Sequence, residues 1–316
     1  MEYYQVTQNR SRQTAAVIAG YVPGLKVGTT TGPDLLTLAA ALDGLAAGRD
    51  TALTDYDAAF NGENLGFLHL RTLGLALPQA AEGELDGAVA AEVSLADLLA
   101  PVYAIVPRTT ESAVARGKRL VPVLGKIDGY LTGQKPPRDA ITAGGQGQSA
   151  LSAAITAQPA LEAAVETQST NVSLARDALR NADAALDQLN KRFYQKLQAE
   201  ARTNAALATA LGQIDTSGQS LPPTLGIRTL AQGGTNGLQI VVSYDKGSYD
   251  AALTNTLEWM VTGVDQSFTH TLAAAPSGNE IGPFTLGQTV QLRTRTTNAN
   301  GTTTGSVRTL KIQPPM

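Results

Sequence analysis

Two histidines, His69 in GFLHLR and His270 in SFTHTL, are the only imidazoles in the chain, and cysteine is absent. Without cysteine there are no disulfides, thiolate nucleophiles, iron–sulfur clusters or cysteine zinc sites. His69 belongs to a helical pattern and His270 to a strand pattern far along the chain, so nothing in the spacing pairs them on a metal. No G-x-S-x-G elbow positions a serine nucleophile. The chain holds 27 Asp and Glu. None of their placements marks a carboxylate pair in an apolar pocket, which is what acid/base catalysis needs to tune two pKa values apart.

Three stretches invite a ligand and lose it on inspection. GLKVGTTTG lacks the Gly-Lys-Ser/Thr ending of a phosphate loop, and GGQGQS lacks the full dinucleotide fingerprint. Both read as turns ahead of helices. DYDAAFNGEN gathers Asp55, Asp57, Asn61 and Glu63, but Gly62 falls at the eighth position where a calcium loop needs its glycine at the sixth. It reads as a solvated acidic face. Sequons at Asn171 and Asn300 are short enough to arise by chance. The expectation is a protein that is not an enzyme, with no catalytic residue, no cofactor and no metal.

Charge is the remaining signal. Charged residues make up 16% of the chain and the net charge is −3, which gives no general attraction to nucleic acid or to an anionic membrane. Residues 34–103 are strongly acidic and residues 104–138 basic. The two blocks are expected to face one another within a bundle or, alternatively, between subunits, where complementarity sets register. From the basic block Arg116, Lys118, Arg119 and Lys126 are candidates for an interaction surface. Tyr249, in a loop of the strand-rich region, joins them. NKRFYQK mixes Lys191, Arg192 and Lys196 with Phe193 and Tyr194, but Phe193 already belongs to a helical seam, so no nucleic-acid site is expected there.

The elements that would carry these residues fall into two regions. Val172, Ala175, Leu179, Ala182, Leu186, Leu189 and Phe193 step by alternating threes and fours, the seam of a long helix. The pattern continues, after a phase shift, to Leu211. Pro33 and Asp34 open an earlier helix carrying Leu35, Leu38, Leu42, Leu45, Leu53, Tyr56 and Phe60, with a turn or weak point at Asn61 and Gly62 and a resumption to Pro78. A further helix is predicted from near Thr110 to before GQKPP, and another, kinked or broken, at Pro159. The two glycine-bearing turns, each followed by helices, raise an internal duplication of a helical hairpin; against it, alanine-rich helices resemble one another by composition. Residues 1–25 are taken as a structured segment, since Glu2 and a polar lead-in make a poor export signal. No apolar run reaches the roughly 20 residues of a membrane span.

Residues 215–223, rich in small polar residues with Gly and a Pro pair, read as a linker. Beyond it LGIRTLAQ, LQIVVSYD, TLEWMVTG, SFTHTLA, TVQLRTRTTN and GSVRTLKIQ are strand-like, with Val290 and Leu292 alternating against outward Gln291, Arg293 and Arg295. The fold class expected is α + β and multidomain: a bundle of four or five antiparallel helices over 1–214, the linker, and an all-β sandwich over 224–316.

GPFTLGQTVQLRTRTTNANGTTTGS resembles the second half of a fibronectin type III domain, and LPPTLGIRTL, LQIVVSYDKG and TLEWMVTG look like its first three strands. The resemblance covers about residues 221–314. Tyr244 stands where that family usually has a Trp, and Val290 where it has a corner Tyr; Trp259 is expected to take over part of the core. A helical bundle ahead of such a domain is also similar to an arrangement found in bacterial proteins. These readings lead to a non-enzymatic structural or interaction protein that self-assembles into a homo-oligomer or polymer, with exposed edge strands in TVQLRTRTTNANGTTTGSV as one route. The alternative is a recognition or adhesion module binding a protein or glycan through sandwich loops around Tyr249. A cytoplasmic address is the default, with a cell-surface or extracellular one left open.

Overall fold

The computed structural model describes residues 3–85, 87, 89–214, 222, 224–234, 237–245, 248–298 and 301–314. The predicted linker lies outside them except for Pro222, as do Asn300 and part of the loop ahead of Tyr249. The architecture is α + β: long helices come first and antiparallel sheets follow. Helix α1 is Tyr3–Tyr21, and a small hairpin of β1 (Lys26–Val27) and β2 (Thr30–Thr31) leads into α2 (Gly32–Glu84). Then come α3 (Ala90–Asp97), α4 (Ala100–Tyr103), α5 (Thr110–Thr132), α6 (Gln148–Ala201) and α7 (Ala205–Leu211). The strands of the second region are β3 (Ile227–Gly233), β4 (Gln239–Tyr244), β5 (Thr254–Val261), β6 (His270–Ala273), β7 (Asn279–Ile281), β8 (Thr289–Asn298), β9 (Gly301–Thr304) and β10 (Arg308–Lys311).

Two helices are longer than the sequence pattern suggests. α2 runs unbroken for 53 residues through Asn61, Gly62 and Pro78. α6 runs for 54 through Pro159. The predicted breaks at Asn61–Gly62 and Pro159 are absent because packing on the buried stripe outweighs one glycine or one lost backbone bond. The break falls instead at 202–204, where the Asn204 side chain caps α7 by accepting from Leu207 N at 3.1 Å. The seam that the sequence carries as one helix to Leu211 is therefore divided between α6 and α7. Helix α5 begins as its sequence predicts, with Thr109 and Ser112 closing a capping box.

The chain divides into two compact units, and helices and strands share one of them. The first comprises Met1–Ala58, Thr167–Gly233 and Leu238–Ile312; the second is built on Ala59–Glu166. In the first unit, α1, the start of α2, the end of α6 and α7 enclose a core that includes Ile18, Leu35, Leu42, Leu179, Leu186, Phe193 and Leu207. A buried polar layer crosses it. Ser11 Oγ donates to Thr7 O at 3.0 Å, Asn190 Nδ2 to Ser11 Oγ at 2.8 Å, and Gln8 Nε2 to Ala39 O at 2.6 Å. In the second unit the rest of α2, α3 to α5 and the start of α6 surround Leu70, Leu77, Leu120, Leu124, Ile127 and Leu151.

The strands form two antiparallel sheets, one ordered β3-β4-β7 and the other β10-β8-β5-β6, with β9 also paired to β8. Leu230, Ile240, Val242 and Ile281 from the first share one core with Leu257, Val290, Leu292 and Leu310 from the second, the packing of a sandwich. Gln291, Arg293 and Arg295 point outward as predicted. Trp259 lies half-buried at the margin of this core, stacked on His270 with ring centroids 5.4 Å apart. Tyr244 is buried and its hydroxyl donates to Asn279 Oδ1 at 2.7 Å.

One expectation is reversed. β8 is not an edge strand, because β5 pairs along one side while β9 and β10 pair along the other. Its threonines are engaged inside the unit: Thr294 Oγ1 donates to Leu225 O at 2.5 Å and Thr296 Oγ1 to Asn255 Oδ1 at 3.1 Å, while Thr303 Oγ1 on β9 donates to Pro222 O at 2.6 Å. The Thr294 and Thr303 hydroxyls fasten Leu225 and Pro222, just ahead of β3, so a threonine-rich segment serves the sandwich's own closure.

Candidate functional site

On α2 the buried positions of the first unit after Gly32 are Leu35, Ala39, Leu42, Ala46, Arg49, Leu53 and Asp57. Two charged residues therefore sit on the stripe that faces protein. Asp57 is fully buried, at 0% exposure, and Arg308 of β10 is 2% exposed. Arg308 Nε and NH2 grip the two carboxylate oxygens of Asp57, and NH1 donates to Ile227 O at 2.7 Å. Arg308 pairs with Leu292 in the β8 register and so shares its inward face. The acidic stretch around Asp57 is thus not a solvated face. Asp55 is exposed, but Asp57 turns inward and holds a guanidinium. Burial raises the Asp57 carboxyl above its ordinary value, opposed by the hydrogen bonds and charge of Arg308 and by a backbone hydrogen bond from Leu230.

Beside this pair lies a cavity of about 500 Å³ lined by Arg49, Arg176, Arg180, Asp183, Ser306 and Arg308, with Leu53, Ala184, residues 224–227, Thr294 and Gly305 completing the wall. Arg176, Arg180 and Asp183 stand at i, i+4 and i+7 on α6, one helical face. The sandwich side exists because β9 and β10 are one edge interrupted at 305–307. Gly305 N donates to Thr294 O at 2.8 Å there, and a Cβ on Gly305 would fall 2.5 Å from Thr294 Oγ1, so the strand comes this close only with glycine.

The arginines are not equivalent. Arg308 is neutralised by Asp57, and Arg49 donates to Asp50 Oδ1 from Nε at 3.0 Å and NH2 at 2.8 Å. Arg176 and Arg180 form no ion pair with a described residue. Although exposed as a residue, Arg176 is crowded on its cavity side. That desolvation lowers its guanidinium, Arg308 and Arg49 push it the same way, and Asp245 and Tyr56 oppose them. Asp183 keeps one buried oxygen, Oδ1, without a partner among the described residues, and burial raises its carboxyl. A second cavity of about 330 Å³, lined by Tyr56, Ser169, Ser173, Arg176, Arg228 and Asp245 with Leu53 and Val172, also borders Arg176.

The residues proposed from sequence lie elsewhere. Arg116 is buried, 3% exposed, and donates from Nε to Gly74 O and from NH1 to Ile105 O, both at 2.7 Å, with its guanidinium 5.4 Å from the Tyr103 ring centroid. It braces the second unit and is not part of a surface, because its donors are spent on backbone carbonyls. Lys118, Arg119 and Lys126 are exposed on α5. Between the acidic and basic blocks, the one ion pair among the described residues joins Arg138 NH2 to Glu92 Oε1 at 2.6 Å. Tyr249 is half-buried against the sandwich core and its hydroxyl donates to Ala274 O at 3.3 Å.

His69 is half-buried on α2 in the second unit. His270 is exposed on β6 in the first, with Nε2 3.2 Å from Asp265 Oδ2. Among the described residues no group of three or more acids and histidines has the arrangement of a metal site. Sequence reasoning missed Arg49, Arg176, Arg180 and Arg308. The available signals were the one-face spacing on α6 and an arginine and an aspartate on the apolar stripe of α2. Comparison with protein-family models, with curated proteins and with solved structures gave no match.

Proposed function

We propose that the chain is a non-enzymatic structural or interaction protein that works by associating with further copies of itself through its sandwich. The observation that carries this reading is the outer face of the β3-β4-β7 sheet. Register pairs Thr229 with Ser243, Ala231 with Val241, and Val241 with Glu280, which puts these side chains on one surface. Among these five Glu280 is the charged residue, Val241 at the centre is 42% exposed, and the Thr229 and Ser243 hydroxyls bond each other. A sheet face on which these side chains other than Glu280 are small and uncharged is poorly protected against meeting its own copy, and a two-fold pairing would place the same patch on both sides. The low overall charge, 16% of residues, adds little repulsion between copies.

The strand order, a three-stranded sheet against a five-stranded one in which β9 and β10 share one edge, supports reading the sandwich as fibronectin type III-like. Sedimentation velocity over a micromolar dilution series tests the functional reading: association that strengthens with concentration is expected, and a single monomer boundary at every concentration overturns it.

A further inference from the structure

The geometry points to a binding site for a small multivalent oxyanion in the arginine-lined cavity of the first unit, with Arg176 and Arg180 as the donors that grip it. The shared chemistry is two or more neighbouring anionic oxygens on one molecule, as in a pyrophosphate or a polycarboxylate. A guanidinium presents a planar fork of N–H donors that matches such oxygens pairwise. Arg308 and Arg49 line the same cavity but already hold Asp57 and Asp50. Recognition is left to Arg176 and Arg180, which form no ion pair with a described residue, although Asp245 attracts the Arg176 guanidinium and Asp183 places a carboxyl in the same wall.

Ser306, at the interruption between β9 and β10, has no hydrogen-bond partner among the described residues and adds a hydroxyl to the same wall. The volume, about 500 Å³, is in the range of small-molecule sites and exceeds what one phosphate would fill. Desolvation lowers the Arg176 guanidinium, with Arg308 and Arg49 adding to the fall and Asp245 opposing it, and a bound oxyanion would favour the charged form.

Isothermal titration of the full chain with inorganic pyrophosphate and, separately, with citrate, both at chloride-matched ionic strength, tests this. Saturable binding with one molecule per chain is expected for at least one probe, and the probe that binds assigns the site to phosphate or to carboxylate chemistry. The Arg176→Gln/Arg180→Gln variant, which changes two exposed residues, should bind about tenfold more weakly or worse. Lys118→Gln/Arg119→Gln removes the same charge from exposed positions on α5 and should bind like the unmodified chain. Absence of binding by both probes, or equal loss in the two variants, overturns the site.

Discussion

Arg308 in the last strand clasps Asp57 in the second helix across 251 residues of sequence, and both side chains are buried. The same guanidinium holds Ile227 O on β3, so one pair ties helix α2 to an edge strand of each sheet. Removing either partner strands a buried charge. Asp57→Ala and Arg308→Ala should each cost about 3–5 kcal/mol in denaturant unfolding. The double variant Asp57→Leu/Arg308→Leu should recover much of that loss, because two apolar side chains leave no charge unsatisfied. Single variants within about 1 kcal/mol of the unmodified chain, the level of a surface ion pair, would remove the pair from its structural role.

Asp183 gives a pH dependence with a definite sign. Its carboxyl is raised above 3.8, chiefly by burial, with Asp187 adding to the rise and Thr7 and Arg10 opposing it. Between the unfolded and folded values the native state holds more protons than the unfolded chain. The contribution of Asp183 to stability is therefore fully present below 3.8 and is lost as pH rises through the folded value. Asp183→Asn should accordingly be more stable than the unmodified chain at neutral pH, with the margin closing as pH falls toward 4. Thermal unfolding of both proteins across that range measures it, and a margin independent of pH counts against the assignment.

How much could be read beforehand varies with the range of the interaction. The seam on α6 was legible because it repeats locally: Val172, Leu179, Leu186 and Phe193 are buried as spaced. So was the cap of α5 at Thr109, and so were the strands, whose two-residue alternation needs no partner to be seen. The face of α2 was misjudged at Leu38, which is exposed, while Ala39, Ala46 and Arg49 are buried. Large aliphatics draw the eye, but small side chains allow the close approach of neighbouring helices. The cavity was illegible for a different reason. Its arginines come from α2, α6 and β10, and no local pattern encodes which charges meet once the chain has folded.

Helix continuity through Pro159 can be checked directly. The residue is exposed within a 54-residue helix, so Pro159→Ala restores a backbone donor without disturbing the core. It should stabilise by about 1–3 kcal/mol in chemical denaturation. No gain would mean that the helix is interrupted there.

Gln158, its neighbour, is buried with neither amide atom bonded among the described residues. Replacement by leucine, of similar size and without polar atoms, should raise the unfolding midpoint, since an unsatisfied buried amide costs about 1–3 kcal/mol. A lower midpoint for Gln158→Leu would show that the amide has a partner the chain depends on.

The central claim is self-association through the outer face of β3-β4-β7, and Val241 is its most exposed apolar residue. Light-scattering mass of the unmodified chain and of Val241→Lys, compared over a micromolar dilution series, tests it most directly. The account predicts a mass above 32.8 kDa for the unmodified chain and 32.8 kDa for the variant, with the same circular dichroism. A mass of 32.8 kDa for both at every concentration, or equal association of both, contradicts it.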